Sequence, residues 1–312
     1  MQRIKDLQMG STARLPLAVL DAEIKPARNG PYLYMSLFDG VEAVTANLWS
    51  YRDSYVPQRN TVVNIVAKVT SWNDTLQLNV VSVEQNADID ISVFAPQGDF
   101  DISELVSEAS ALISGIENEA IRNLVRNIFN DNGALIKTVP SAKGIHHAYV
   151  AGNLKHCVDT ALKARALAWL TPGCSIDLVI AGGLLHDIGK LQTYVLNGAA
   201  VDMTIEGNLL EHIILGVILL ERYRTNENSG IITLLQHIIA SHHGKLEYGS
   251  PVTPRFIEAW VINYADGVDA RTETIANLNK VAAESDIFTK KEWSLDNRSM
   301  LTQAYIQTIL QA

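Results

Sequence analysis

The sequence predicts two domains, an N-terminal all-β barrel followed by an all-α unit, and three observations carry that prediction. Apolar residues alternate with period two from about residue 14 to 85, then follow a helical period from about residue 101 onward. Pro96 and Gly98 sit between the two regimes and stop the strand pattern. All eight histidines, at 146, 147, 156, 186, 212, 237, 242 and 243, lie beyond residue 145, within the helical regime. A length of 312 residues suits two domains.

The strands are expected in order. Residues 17–24 form the first, and Pro26-Ala-Arg-Asn-Gly30 is a turn signal. Residues 32–38 alternate, Asp39-Gly40 predicts a tight hairpin, and residues 41–49 return. Residues 61–70 and 76–83 complete five short strands, an OB-fold-like pattern. Tyr32 and Tyr34 share one strand face, Trp49 ends the next strand, and Trp72 is expected in the loop before the fifth. Aromatics on such a face stack on single-stranded bases, so these four are candidate nucleic-acid contacts. The alternative is that the tyrosines pack the barrel interior.

Past the break, Asp101 or Ser103 can cap a helix. Leu105, Leu112, Ile116, Ile121, Leu124, Val125 and Ile128 describe one amphipathic stretch to about residue 130. Further helices are expected near 147–170, 176–188, 205–224, 228–243, 252–283 and 298–311. Residues 284–312 carry no motif.

Composition excludes several classes. No apolar run approaches the ~20 residues of a membrane span. The first eight residues, Met-Gln-Arg-Ile-Lys-Asp-Leu-Gln, lack the apolar core of a signal peptide. Cys157 and Cys174 make no disulfide framework, so a reduced cytoplasmic setting is expected. Cys157 reads as a small core residue beside His156. The net charge of −9 divides into −2 over residues 1–90 and −7 over the remainder. This balance argues against bulk attraction to phosphate, and a nucleic acid would need a focused groove or stacking.

The chemistry lies in the histidines and their neighbours. His186 and Asp187, in Ala181-Gly-Gly-Leu-Leu-His-Asp-Ile-Gly-Lys190, place two adjacent metal ligands at a buried helix end. Imidazole with carboxylate suits borderline divalent cations, and a carboxylate can bridge two of them. His156, His212, His242, His243 and Asp266 recur in apolar helical settings, in the order His, His-Asp, His, His-His, Asp. His237, five residues before His242, is off its helical face and reads as structural.

This series resembles the HD superfamily of metal-dependent phosphohydrolases, and most closely the YhaM-type 3′→5′ exoribonucleases, which join an OB-fold to an HD domain. The matching stretches are His146-His-Ala-Tyr149, Gly152-Asn-Leu-Lys-His156, Gly183-Leu-Leu-His-Asp-Ile-Gly-Lys190, Glu206-Gly-Asn-Leu-Leu-Glu-His212, Ser241-His-His-Gly-Lys-Leu-Glu-Tyr-Gly-Ser-Pro251 and Asp266-Gly-Val-Asp-Ala270. Asn153-Leu-Lys155 and Arg271 depart from the expected pattern without touching a ligand. The resemblance implies an OB-fold-like nucleic-acid-binding domain over 1–95, a helical connector over 96–140 and an HD domain over 141–312.

It also implies a two-ion centre. His156, His186, Asp187 and Asp266 would hold one divalent cation, with Asp187 bridging to a second held by His212 and His242 or His243. Mn²⁺ heads the expected metals, ahead of Fe²⁺, Co²⁺, Ni²⁺ and Zn²⁺. Such a centre activates water and clamps a phosphoryl oxygen. Asp187, Lys190 and His147 are the candidate catalytic groups, with Lys190 reaching a phosphate oxygen and His146 contacting nucleic acid. The implied activity is 3′→5′ hydrolysis of single-stranded RNA, with single-stranded DNA as a second substrate and no membrane partner. Self-association into a homo-oligomer is compatible with the sequence. Two alternatives stand beside it: a phosphohydrolase of nucleotides or cyclic nucleotides with a regulatory barrel, and a single-strand-binding accessory protein.

Overall fold

The computed structural model describes residues 3–49, 51–52, 55–72, 75–142 and 149–311. The chain divides into two compact units, one of residues 1–97 with 196–202, the other of residues 98–195 with 203–312.

The first unit is a closed five-stranded barrel. Its strands are β1 (Thr12–Lys25), β2 (Tyr32–Phe38), β3 (Ala43–Leu48), β4 (Val62–Trp72) and β5 (Thr75–Gln85). They close in the order β1-β2-β3-β5-β4. Closure depends on the length of β1, fourteen residues with a register shift between Val19 and Asp21. That bulge bends the strand so that it pairs with β2 and with β4. The return of β5 beside β3 is parallel, with Ala46 opposite Leu78. Full closure leaves no sheet edge to recruit another chain. The interior is filled by alternate residues, among them Leu17, Val19, Leu33, Met35, Leu37, Ile65 and Leu78.

Two local expectations change here. The β2–β3 link is the four-residue segment 39–42, not a two-residue hairpin. The cause is the buried Asp39, whose Oδ1 accepts from the amides of Val41 and Glu42 at 2.8 Å each and whose Oδ2 accepts from Ile4 at 2.7 Å. Trp72 is the last residue of β4, opposite Thr75, because the ladder continues past residue 70.

A further hairpin, β6 (Tyr194–Asn197) and β7 (Ala200–Met203), carries no periodic signal. Its tip belongs to the barrel unit. Ala199 is buried with Phe38, Val62 and Phe94, and Arg59 pairs with Asp202 at 2.5 Å.

The second unit is helical. Its helices are α1 (Ile102–Ser114), α2 (Glu119–Asp131), α3 (Gly133–Ile136), α4 (Gly152–Trp169), α5 (Ile176–Leu185), α6 (Lys190–Thr193), α7 (Ile205–Glu221), α8 (Ser229–Ser241), α9 (Ile257–Val281) and α10 (Gln303–Leu310). The single stretch expected to residue 130 is two helices. Asp101 caps α1, Gly115 ends it, and Asn118 caps α2 by accepting from Ile121. Asp177 of α5 fixes the joint by accepting from the amides of Glu117 and Asn118 at 2.9 and 2.8 Å. Residues 105–136, within the segment expected as a connector, supply Leu105, Leu112, Leu124, Val125 and Ile128 to the same core as α4, α5, α8 and α9.

Helix α5 is the centre of this core, and glycine lets it sit there. A Cβ on Gly183 would lie 2.5 Å from Ala161 Cα, and one on Gly182 would lie 3.0 Å from Ile238 Cδ1. Bare backbone at these positions lets α5 approach α4 and α8. The first contact is with backbone and cannot rotate away. Gly183→Ala is therefore expected to cost about 1–3 kcal/mol by overpacking, read as a lowered Tm in thermal unfolding. An unchanged Tm would mean that α4 and α5 can separate freely.

Candidate metal centre

Each expected ligand stands at a helix end, a kink or a long helix that aims it inward. His156 is on α4 and Asp266 on α9. His186 and Asp187 follow α5 directly, and both are buried. His242 and His243 follow α8 in the same way. Helix C-termini leave carbonyls without intrahelical partners. His186 Nδ1 meets Gly183 O at 2.9 Å and His242 Nδ1 meets Ile239 O at 2.7 Å, each three residues back. His243 Nδ1 meets Tyr248 O at 2.8 Å. A carbonyl only accepts, so each Nδ1 carries the hydrogen and each Nε2 is left with a lone pair. His212 reaches the site through a kink, since Glu211 inside α7 has φ 59°. Gly189 makes room for that turn, because a Cβ there would lie 1.9 Å from His212 O.

The ligand atoms gather in two groups. One contains His156, His186 and Asp266, the other His212, His242 and His243. Asp187 lies between them. Its Oδ2 is 3.3 Å from His156 Nε2 and 3.4 Å from His186 Nε2, while its Oδ1 is 3.5 Å from His212 Nε2 and 3.6 Å from His242 Nε2. The sequence left open which of His242 and His243 joins His212; the structure brings both to it.

The residues present fit divalent cations. Asp187 Oδ1 and His212 Nε2 are buried without a hydrogen-bond partner among the described residues. Such atoms are costly unless something binds them. His156 Nε2 and His186 Nε2 stand 3.1 Å apart, and His156 Nε2 is 3.2 Å from Asp266 Oδ1. Ligands about 2.0–2.2 Å from one ion lie roughly 3.0–3.5 Å from each other, so these spacings suit a shared cation.

Electrostatics follow from burial and pairing. Burial opposes charge on Asp187, but the Lys190 ammonium and the neighbouring imidazoles hold its carboxyl well below the usual range. Burial likewise opposes charge on Asp266, and the His156 contact outweighs it, holding the carboxyl low. Burial opposes protonation of His156, yet hydrogen bonds to Asp187, Asp266 and Asp269 raise its pKa well above the ordinary value. Burial pushes His212 down to about 3 and His242 well below its usual range, leaving both rings neutral.

Lys190, expected to reach a phosphate, is instead turned onto Asp187 Oδ2 at 2.6 Å, with Ser141 Oγ at 3.0 Å. His146 and His147 lie outside the described residues. His237 Nε2 accepts from the Arg255 amide at 3.1 Å, away from the ligand groups. Sequence reasoning missed Asp269. Its Oδ2 lies 2.6 Å from His156 Nδ1, and its Oδ1 lies 2.6 Å from Lys163 Nζ. A carboxylate behind a ligating histidine fixes its tautomer and raises its basicity. The available signal was spacing: Asp269 is one helical turn past Asp266, and Lys163 two turns past His156. Asn263, also missed, donates to His242 O at 2.7 Å.

On the barrel, Tyr32 and Tyr34 are half-buried on the outer face, with Leu33 and Met35 inward. Packing of the interior by these tyrosines is thereby overturned. Tyr32 stacks on Trp49 at 4.6 Å, and Lys25 Nζ sits 3.8 Å over the Tyr34 ring. Trp72 stands exposed at the end of β4.

A paired ligand set converging from separate helices defines a class, and the HD domain model matches residues 153–271. Over 286 residues the chain is 32% identical to the 3′-5′ exoribonuclease YhaM of Bacillus subtilis (strain 168), covering 88% of this chain and 89% of that protein. The chain belongs to the YhaM family of HD-domain proteins. Among solved structures, the second OB-fold domain of replication protein A from Methanococcus maripaludis is 13% identical, with a TM-score of 0.25, covering 28% of this chain and 96% of that one.

Two outcomes test the centre. Asp269→Asn is expected to weaken binding of Mn²⁺ about 10–100-fold, read by calorimetric titration of the apo-protein; unchanged affinity would make Asp269 a purely structural partner. The second concerns pH. His212 titrates near 3 when folded and near 6.5 when unfolded. Below pH 6.5 the unfolded chain binds a proton that the folded protein refuses, so this stabilisation is present above 6.5 and is lost as pH falls. The loss at pH 5 is about 2 kcal/mol. In chelator, the stability of wild type relative to His212→Leu should fall by about that amount between pH 7.5 and 5. A pH-independent difference would contradict a buried neutral imidazole.

Proposed function

We propose that the protein is a metal-dependent 3′→5′ exoribonuclease that hydrolyses phosphodiester bonds of single-stranded RNA, with single-stranded DNA as a second substrate. The observation that carries this reading is the Asp187 carboxylate, which turns one oxygen to each of two ligand groups. Divalent ions bound at these groups would supply an activated water and charge stabilisation at phosphorus. His156, His186, Asp187 and Asp266 would hold one ion, and Asp187, His212, His242 and His243 the other. The mixed imidazole and carboxylate set suits Mn²⁺, with Fe²⁺, Co²⁺, Ni²⁺ or Zn²⁺ as substitutes.

The chain's own groups do the remaining work. Lys190 balances the charge of Asp187, and Asp269 keeps His156 oriented. The polarity is supported by the name of the Bacillus subtilis relative. The strand order of the barrel and its outward Tyr32, Tyr34, Trp49 and Trp72 support capture of single strands by stacking. No helix among the described residues is long and apolar enough to cross a membrane, and the reduced thiols of Cys157 and Cys174 suit the cytoplasm.

With Mn²⁺, the protein is expected to convert a 5′-labelled oligoribonucleotide into a descending ladder of labelled products. Asp187→Ala is expected to abolish that ladder and to lower bound metal, measured by elemental analysis. An intact substrate with every one of the five metals refutes the reading. Near-normal rate and metal content in Asp187→Ala refute the bridging role.

A further inference from the structure

A cavity of about 710 Å³ opens beside the metal centre, and His243 and Asp266 belong to its wall. The rest of that wall is unlike the ligand pocket. Trp260, Tyr264 and Arg271 line it from α9, Lys245 and Tyr248 from the segment after α8. Residues 260, 264, 267 and 271 follow one another at i+4, i+3 and i+4, so they share one face of the helix. Asp266, two residues past Tyr264, lies about 200° further round the helix, and it meets the same cavity at its wall.

Three properties of this wall point to a ligand. First, Trp260 and Tyr264 form a near-parallel aromatic pair, centroids 5.9 Å apart and planes 27° apart. These rings are 44% and 62% exposed, and Tyr248 is 58% exposed. Exposed aromatic rings of this kind suit planar partners. Secondly, the charges are arranged for an anion. Lys245 and Arg271 are the lining cations, Lys245 also pairing with Glu247 at 3.3 Å, and the lining acid is Asp266, which the ion centre would occupy. Thirdly, the floor is flat for a structural reason. Gly267 lies between Tyr264 and Arg271, and a Cβ there would lie 2.7 Å from Arg271 Nη1. The guanidinium rests along the helix, donating to Gly267 O at 2.9 Å.

We propose that this wall is the base-binding subsite of the helical unit: Trp260 and Tyr264 stack the last bases of the single strand, and Arg271 and Lys245 hold the connecting phosphates, so that the scissile phosphodiester rests over the two ligand groups. The proposal rests on the exonuclease reading and adds where the 3′ end is gripped. Stacking accepts every base, because every base has a π-face. The subsite therefore lets the chain be shortened through any sequence, one nucleotide after another. Its volume falls within the range of small-ligand sites, which suits a grip on few nucleotides.

The test compares two short RNAs, one with ordinary bases throughout and one abasic at its last two 3′ positions. Each is digested with Mn²⁺ by wild type, by W260A/Y264A and by Tyr264→Phe. Wild type is expected to lose about tenfold in kcat/KM on the abasic RNA, the consequence of one to two lost stacks. The double variant is expected to lose that discrimination, treating the two RNAs within about twofold. Tyr264→Phe, which keeps the ring, is expected to retain it. A merely structural effect of the double substitution would lower both rates together and leave the ratio at its wild-type value; that result overturns the proposal. Equal rates of wild type on both RNAs overturn it as well, while leaving the exonuclease reading intact. Failure of wild type to cut either RNA refutes the exonuclease reading itself.

Discussion

The interaction on which the rest depends is a single carboxylate held in the core between two sets of imidazoles. Asp187 is nearly inaccessible to water, and Lys190 answers only one of its oxygens directly. The other oxygen is buried without a partner and faces His212 and His242. Burying a charge in this way is strongly unfavourable unless cations compensate it. The fold therefore encloses a site that the protein alone leaves electrostatically incomplete, and metal binding becomes part of its stability as well as its chemistry.

That incompleteness constrains the surrounding architecture. The helix that ends just before Asp187 must reach the centre of the unit, which requires bare backbone at Gly182 and Gly183. The turn after it must pass α7 closely, which requires Gly189. The histidines must offer Nε2, and three of them do so by spending Nδ1 on backbone carbonyls, two at helix ends. His156 lies mid-helix, where carbonyls are already engaged. It takes a carboxylate instead, from Asp269, which Lys163 neutralises from the other side.

The two units divide the chemistry. The helical unit concentrates charge in a small volume, where opposite signs lie within about 4 Å of one another and are strongly coupled. The barrel keeps apolar residues inside and presents rings outward on β2, just past β3 and at the end of β4. An acidic chain of net charge −9 gains little from long-range attraction to nucleic acid. Recognition by stacking and by a few placed cations is consistent with that balance, on the barrel and on α9 alike.

The sequence by itself determined the two regimes of periodicity, the break near residues 96–98, and the seven side chains proposed as ligands, which the structure brings together. These were legible because each depends on local pattern: alternation, helical spacing, or a His-Asp pair in an apolar run. Tertiary structure alone decided the rest. The turn after Phe38 lengthened because Asp39 found the distant amide of Ile4. The hairpin at residues 194–203 escaped notice because strands of four residues carry too little alternation to register. Lys190 turned inward onto Asp187, three residues before it, because the fold buries that carboxylate and makes it the strongest partner in reach. Asp269 was visible as a residue and invisible as a role, since its partners His156 and Lys163 lie more than one hundred residues away. Local pattern names the side chains; only the packing of distant helices fixes which atoms face one another, because such contacts are set by three-dimensional approach and leave no periodic trace in the chain.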